Sequence, residues 1–177
     1  MRSITVRSPA KINLFLEVIC KRTDGYHEVK TYMVPISLCD TITLRRTAMR
    51  AISIISDNEA VPLGEDNLAY AAAVRFYKAA GIKGQGLEIR IKKQIPVAAG
   101  LGGGSSNAAA TLRGLNRLYG NPVKKETLLR IAATLGADVP FFMHEGGAVC
   151  IGKGDEVIPR PCPKPFWVVL AVPRSNF

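Results

Sequence analysis

The chain has 177 residues, of which 47% are hydrophobic and 21% are charged, and its 24 basic and 14 acidic residues give a formal net charge of +10. This balance is typical of a globular protein, and a chain of this length can bury about two-thirds of its unfolded surface, which excludes a disordered or collagen-like polypeptide. The four cysteines are widely spaced and form no Cys-x-x-Cys pair, so we expect free thiols in a cytoplasmic protein rather than a disulfide scaffold or a zinc site.

The first apolar stretch of the chain is predicted to be a strand. It follows a basic start, as the core of a signal peptide would, but Glu17 interrupts it and no small-residue cleavage site follows. The longest uncharged run, residues 95–112, is rich in Gly, Ser and Ala and is too weakly apolar to hold a position in a bilayer. We therefore expect no association with a membrane.

Alternating apolar residues predict that the first half of the chain is mostly β-structure. The predicted strands lie near residues 4–6, 12–18, 41–44, 52–54 and 87–91. Asp24-Gly25 is a turn signal between the second strand and one near Tyr32, so Tyr26 and His27 are predicted to lie at the foot of a hairpin loop.

Three helices are predicted, and each is marked by residues at its ends. The first is capped by Asn67 and ends at Gly81. The second begins at Ser105 and ends before Gly120, and the third ends at Gly136. Two more strands are expected near residues 148–151 and 167–172, and strands followed by mixed helices and strands indicate an α+β fold.

The glycine-rich segment at residues 96–107 is the most informative stretch of the sequence. Four of the five residues from Gly100 to Gly104 are glycine, and the segment lies between a predicted strand and a predicted helix. Unshielded backbone N–H groups and a helix N-terminus both favour an anion, so we predict a phosphate cradle. Ser105 and Ser106 are candidates to cap the helix, contact a phosphate oxygen or bind Mg²⁺. A flexible glycine-rich linker is the alternative interpretation.

The spacing excludes two common phosphate loops. A dinucleotide fingerprint that starts at Gly100 requires glycine where Ser105 stands, and a Walker A loop requires a lysine that does not follow these glycines. Residues 147–154 come close to the Walker A spacing through Gly152-Lys153, but Gly154 stands where that loop needs Ser or Thr, and residues 148–151 are a predicted strand.

The glycine-rich segment resembles the phosphate loop of the GHMP small-molecule kinases. Three further segments, SPAKINL at 8–14, RTDGYH at 22–27 and LGADVPFF at 135–142, resemble one family among them, the 4-diphosphocytidyl-2-C-methyl-D-erythritol kinases. The resemblance implies ATP-dependent phosphorylation of the 2-hydroxyl of that substrate in the non-mevalonate isoprenoid pathway. It also implies a ribosomal protein S5 domain 2-like α+β domain over residues 1–165, with residues 166–177 as a crossing strand and the start of a C-terminal domain.

The resemblance also assigns roles to individual residues. It implies that Asp138 accepts the proton of the attacking hydroxyl and that Lys11 stabilises the developing negative charge. Substrate binding is expected at Asn13, Tyr26 and His27. ATP binding is expected at the glycine-rich segment and two outlying residues, namely Pro96, Val97, Ala98, Ala99, Gly100, Leu101, Gly102, Gly103, Gly104, Ser105, Ser106, Asn67 and Lys93.

Five of these residues also have a simpler interpretation. Asp138, which precedes Val-Pro, has the pattern of a helix N-cap, and so has Asn67. Lys11 and Lys93 could equally be solvated lysines, and His27 an exposed loop histidine.

The expected ligands are ATP, Mg²⁺ and the small-molecule substrate, with no nucleic acid. Mg²⁺ is implied by ATP, and Ser106 is its tentative ligand, with phosphates and water supplying most of the coordination. Two other functions stay open: a different GHMP kinase, for example one acting on homoserine or mevalonate, and an RNA-binding module, which the positive charge would favour. The sequence does not indicate an oligomeric state.

Overall fold

The computed structural model describes residues 3–23 and 25–172 of the chain. In these residues the chain forms a six-stranded sheet and four helices. The predicted α+β fold class is confirmed, whereas the fourth helix was not predicted. The strands are β1 (Ser3–Lys21), β2 (His27–Thr47), β3 (Ile52–Ser56), β4 (Gly86–Lys92), β5 (Gly147–Ile151) and β6 (Glu156–Arg160). The helices are α1 (Leu68–Ala80), α2 (Gly103–Leu118), α3 (Lys125–Ala133) and α4 (Val139–Phe142). None of these helices has the length and apolarity that crossing a bilayer requires.

A long antiparallel hairpin of β1 and β2 forms the backbone of the sheet. Its register runs from Ser3 opposite Arg45 to Lys21 opposite His27. The two strands predicted at 4–6 and 12–18 are parts of this single strand, because an irregularity between Pro9 and Lys11 bends β1 without ending its pairing with β2. The predicted hairpin turn is confirmed at Gly25, which has a positive φ of 85°, whereas Asp24 lies outside the described residues.

The remaining strands flank β2, in the order β3-β4-β2-β5-β6. β4 pairs with the later part of β2, from Thr41 to Thr47, and β5 pairs with its earlier part, from Thr31 to Met33. The strand β4 leads directly into the glycine-rich segment, so the sheet fixes the point at which that segment begins.

Helices α1 and α2 cover one face of the sheet, and the main core lies between them and the strands. The contact is close at Gly114, where a Cβ atom would lie 2.6 Å from the Leu44 side chain and 3.0 Å from that of Val6. Only glycine allows α2 to approach the sheet this closely, which places the first turn of α2 beside the residues of β1 and β2.

The ends of α1 are as predicted, and so is the end of α2 before Gly120, whereas the start of α2 is not. The Asn67 side chain accepts a hydrogen bond from the Ala69 amide at 2.9 Å, and Gly81 ends the helix in the left-handed conformation. Helix α2 begins at Gly103 rather than at Ser105, because Gly102 adopts the left-handed conformation and takes the N-cap position. Both serines therefore lie inside the first turn.

The strand expected at 167–172 does not form in the described residues. Residues 161–172 carry no regular secondary structure, and Trp167 is fully exposed. Prolines at 161, 163 and 165 remove backbone donors just before this stretch, and no neighbouring strand pairs with it. The division of the chain at residue 165 remains a prediction, and residues 173–177 lie outside the described part.

Candidate active site

The segment between β4 and α2 forms one wall of a cleft of about 480 Å³. Ala98, Gly100 and Gly102 all have positive φ angles, of 58°, 71° and 69°, so the backbone turns repeatedly before α2 begins. No side chain caps α2, whose first backbone N–H groups lack intrahelical acceptors. This is the combination of turned backbone and helix start that binds anions.

The cleft collects most of the residues that the sequence proposed for nucleotide binding. All predicted residues from Pro96 to Ser105 line it, and so do Lys11, Asn67, Lys93 and Asp138. The rest of the lining comes from Ala60, Val61, Pro62, Asp66, Leu68 and Asn107. The phosphate loop and the proposed catalytic pair therefore share one cavity.

Lys11 and Asp138 form an ion pair at the cleft, with Lys11 Nζ 3.5 Å from Asp138 Oδ2. The Lys11 ammonium also donates to Asn13 Oδ1 at 2.7 Å, and its backbone N–H donates to the Leu101 carbonyl at 3.0 Å. Lys11 is only 7% exposed, so the solvated-lysine interpretation is wrong. The side chain of Asp138 is 32% exposed, which leaves its carboxylate accessible from the cleft.

The Asp138 carboxylate does not cap α4. The residue holds the N-cap position before Val139, yet its side chain makes no capping hydrogen bond and its backbone is helical (φ −81°, ψ −13°). A capping side chain needs an extended backbone to reach the N–H groups of the first turn. Asp138 therefore holds the predicted N-cap position without capping the helix through its side chain, and its carboxylate lies beside Lys11 instead.

The pKa of the Cys150 thiol, on β5, depends in part on the charges of Lys11 and Asp138. Burial raises its pKa to about 11, with a further contribution from the negative charge of Asp138, and the positive charge of Lys11 opposes both. Cys150 therefore stays protonated at neutral pH and provides no nucleophile.

Two residues that were predicted to contact ATP are engaged elsewhere. Lys93 lines the cleft, but its ammonium forms an ion pair with the buried carboxylate of Asp40 at 2.6 Å. Ser106 is fully buried, accepts a hydrogen bond from the Ser8 hydroxyl at 2.8 Å and does not line the cleft. Ser105 does line it.

The proposed substrate residues occupy two places along the hairpin. Asn13 lies beside Lys11 and donates to the Thr31 hydroxyl at 2.7 Å. Tyr26 and His27 lie at the exposed tip, with the Lys153 ammonium 5.2 Å from the centre of the Tyr26 ring. Asn13 pairs with Met33, six residues along β2 from His27, so the tip and Asn13 are separated by roughly 20 Å.

Sequence reasoning missed Asp40, Ser8 and Asn107, which surround the start of the loop and of α2. Asp40 gave one available signal: it is a lone charged residue inside the apolar stretch 33–44. A buried charge in a strand needs a partner, and here the partner is Lys93.

Comparison with known proteins agrees with this geometry. The family model described as "GHMP kinases N terminal domain" matches residues 67–146, which include α1, the phosphate loop, α2 and Asp138. The chain belongs to the GHMP kinases.

Two proteins that are similar to this chain in sequence are named as the same kinase. The chain is 49% identical over 170 residues to a Geobacillus protein named 4-diphosphocytidyl-2-C-methyl-D-erythritol kinase. The alignment covers 96% of this chain and 58% of the relative. A protein of the same name from Bacillus mycoides is 47% identical over 171 residues. The chain thus spans somewhat more than half the length of these curated relatives.

Solved structures show the same fold. A crystal structure of 4-(cytidine 5'-diphospho)-2C-methyl-D-erythritol kinase matches 90% of this GHMP kinase chain and 56% of its own chain, with a TM-score of 0.76 and 41% identity. A homoserine kinase from Cytophaga hutchinsonii has a TM-score of 0.69 and 25% identity over 93% of this chain and 53% of its own. The mevalonate kinase of Methanococcus jannaschii, at 15% identity and a TM-score of 0.68 over 90% of this chain and 56% of its own, shares the fold alone.

Proposed function

We propose that this chain is the ATP-binding part of a cytoplasmic kinase that phosphorylates the 2-hydroxyl of 4-diphosphocytidyl-2-C-methyl-D-erythritol. The observation that carries the proposal is the meeting, in one cleft, of an uncapped helix start with the Lys11 and Asp138 pair. The relatives named for this substrate support the choice of acceptor.

Phosphoryl transfer depends mainly on positioning and on charge neutralisation. The backbone N–H groups of the loop and of the first turn of α2 would bind the nucleotide phosphates, and the Ser105 hydroxyl would face them from the same turn. Asp138 would accept the proton of the attacking hydroxyl, because its carboxylate lies 3.5 Å from the Lys11 ammonium and is partly open to the cleft. Lys11 would stabilise the negative charge that spreads over the transferring group.

The arrangement is compatible with Mg²⁺ held mainly by the nucleotide. In the described residues, no group of three or more His, Cys, Asp and Glu side chains could form a metal site. Asp138, Asp66 and the Ser105 hydroxyl line the cleft and are the oxygen donors that Mg²⁺ accepts. Phosphates and water would complete its coordination, and the ion would neutralise phosphate charge. Buried Ser106 is a less accessible ligand than Ser105.

The hairpin would bind the extended substrate along its length. Tyr26 and His27 at the tip offer a ring face and hydrogen-bonding groups to the cytosine, and Asn13 lies about 20 Å away beside the catalytic pair. A cytidine diphosphate linked to a sugar alcohol has the two ends that such a spacing requires, whereas homoserine and mevalonate have no base.

Calorimetric titration of the 177-residue chain tests both ligand classes. We expect saturable binding of a non-hydrolysable ATP analogue with Mg²⁺, and separate binding of CDP that homoserine or mevalonate does not displace. Absence of ATP-analogue binding would contradict the nucleotide site. CDP binding that fails while the analogue binds would favour another GHMP kinase, and strongly salt-dependent binding of generic RNA would favour the RNA-binding alternative.

A further inference from the structure

We propose that Asp40 is a positioning residue that holds the two ends of the phosphate loop together, with Lys93 as its counter-ion rather than a free phosphate ligand. This inference rests on the proposed function, because it concerns how the loop binds a nucleotide. Asp40 itself is fully buried and does not line the cleft.

Each oxygen of the Asp40 carboxylate binds two groups of the loop region. Oδ1 accepts hydrogen bonds from the backbone N–H groups of Gln94 and Ile95, at 2.8 and 2.9 Å. Oδ2 accepts from Lys93 Nζ at 2.6 Å and from Asn107 Nδ2 at 2.9 Å. Residues 93–95 enter the loop and Asn107 lies in the helix that leaves it, so one carboxylate fixes both ends.

The same network extends to the strand that carries Lys11. Asn107 Nδ2 also lies 2.9 Å from the Ser8 hydroxyl, and that hydroxyl donates to Ser106 Oγ at 2.8 Å. Ser8 is the cross-strand partner of Asp40 in the β1 and β2 ladder. Among the described residues, no buried side-chain nitrogen or oxygen lacks a hydrogen-bond partner. A fully satisfied buried network has one preferred geometry, and here it couples the loop, the first turn of α2 and the strand of Lys11.

The position of Lys93 follows from this network. Its side chain is 5% exposed, and a Cβ atom added at Gly103 would lie 2.9 Å from its ammonium. The lysine therefore lies against the first turn of α2 with its charge compensated by Asp40. Since this ion pair is neutral, the phosphates are left to the backbone N–H groups of the loop and to Lys11.

The competing interpretation is that the ion pair of Asp40 and Lys93 only stabilises the fold. The positioning role and the stabilising role predict effects of a substitution in different parts of the molecule. Asp40→Asn keeps the size of the side chain and an oxygen for Gln94 and Ile95. It turns an amide towards the Lys93 ammonium and the Asn107 amide, which are both donors. A positioning role predicts a defect confined to the loop and to nucleotide binding, whereas a general role predicts a loss across the whole fold.

The test compares Asp40→Asn with the matched control Asp57→Asn. Asp57 also accepts a hydrogen bond at the start of the loop, from the Lys93 backbone N–H at 2.8 Å, but it is exposed and makes no contact with α2 that the structure shows. The measurements are the dissociation constants of a non-hydrolysable ATP analogue and of CDP, and amide hydrogen exchange over the chain.

For Asp40→Asn we expect the ATP analogue to bind about 10- to 100-fold more weakly, because misplacement of the loop separates its donors from the phosphates. CDP affinity is expected to stay within about twofold of the wild type, with faster exchange confined to residues 94–107. Asp57→Asn is expected to leave all three measurements unchanged.

Unchanged ATP-analogue affinity in Asp40→Asn would overturn the inference. So would a parallel loss of both ligands with faster exchange across the whole sheet. If Asp40→Asn does not fold, Lys93→Gln is tested in its place, because glutamine removes the positive charge of Lys93 and keeps a hydrogen-bond donor. For Lys93→Gln we expect a smaller loss of ATP-analogue affinity, again with faster exchange confined to residues 94–107. If the wild-type chain binds no ATP analogue, the proposed function fails, and the exchange pattern at residues 94–107 still decides whether Asp40 orders the loop.

Discussion

Lys11 Nζ lies 3.5 Å from Asp138 Oδ2, although Lys11 is in the first strand and Asp138 follows the third helix. The lysine is nearly buried and the carboxylate is partly open to the cleft. A carboxylate that lies beside a buried cation and is open to the cleft is placed to accept the proton of a hydroxyl.

Asp138→Asn is expected to lower kcat by about 100-fold or more, because the amide cannot accept the hydroxyl proton. The KM for ATP should change little. The measurement is a steady-state kinase assay on the polypeptide extended to the length of its relatives. The control is Glu88→Gln, which removes a carboxylate paired with Arg45 at 2.7 Å on the surface of the sheet. Turnover near that of the wild type would remove Asp138 from the mechanism.

Gly102→Ala is expected to abolish ATP-analogue binding, whereas Gly100→Ala should only weaken it. Both glycines have positive φ, so both substitutions strain the backbone. A Cβ at Gly102 would also lie 2.9 Å from the Phe142 ring and 3.1 Å from Lys11 Cγ, while one at Gly100 meets nothing within 4 Å. The comparison of dissociation constants separates backbone strain from displacement of Lys11, and equal defects in the two variants would contradict the steric argument.

Asn67→Ala is expected to reduce the free energy of unfolding by about 1 kcal/mol, since α1 loses its N-cap. Asn67→Ser should retain most of the stability, because a serine hydroxyl can still cap the Ala69 amide. It would lose the donation from Asn67 Nδ2 to the Pro62 carbonyl, which is 2.7 Å in the structure. Urea unfolding measures the stability. Titration with the ATP analogue shows whether Asn67 also contacts nucleotide, in which case Asn67→Ser binds weakly despite its stability.

Substitution at the hairpin tip should affect only the cytidine ligand. Tyr26→Ala and His27→Ala are expected to weaken CDP binding by about tenfold each, from lost stacking and hydrogen bonding. Because the tip is roughly 20 Å from Asn13, ATP-analogue binding should not change. Isothermal titration with each ligand distinguishes the two sites. A loss of both affinities would show that the tip contributes to the fold of the cleft instead.

Two of the four thiols should react rapidly with a disulfide reagent in the native protein. Cys20 and Cys162 are exposed, whereas Cys39 and Cys150 are buried. Burial raises the pKa of Cys150 to about 11, so its reactive thiolate is scarce at neutral pH and grows only as the pH rises towards that value. Absorbance at neutral pH should show two fast equivalents and two more after unfolding. The double variant Cys20→Ser with Cys162→Ser should lack the fast phase.

Local features of the fold were predictable because they depend on neighbours in sequence. Asn67 and Gly81 mark the ends of α1 through the backbone groups next to them. The glycine-rich segment was predictable as a turned loop before a helix for the same reason. The start of α2 was misplaced by two residues because Gly102, and not a serine, takes the N-cap position. The exposed strand β6 gave no clear apolar alternation and was not predicted.

The roles of residues in the candidate site were predictable only where those residues belong to a recognisable sequence motif. The resemblance to a kinase family assigned roles to Lys11 and Asp138, but the residues alone favoured a solvated lysine and a helix cap. The structure contradicts the solvated lysine, because Lys11 is buried beside Asp138, and it places Asp138 at the N-cap position of α4 without a capping hydrogen bond. Lys93 is not a solvated lysine either, since its ammonium forms an ion pair with the buried carboxylate of Asp40.

The amino-acid order by itself determined the hairpin turn, both ends of α1 and the glycine-rich loop, since these follow from backbone preferences over a few residues. The tertiary structure decided which distant side chains meet. The register that sets Ser8 opposite Asp40, and the close approach of α2 at Gly114, bring Asn107 and Lys93 to one carboxylate. Contacts of this kind depend on which strands pair and how a helix packs on them, and the periodicity of one segment does not specify its distant partner.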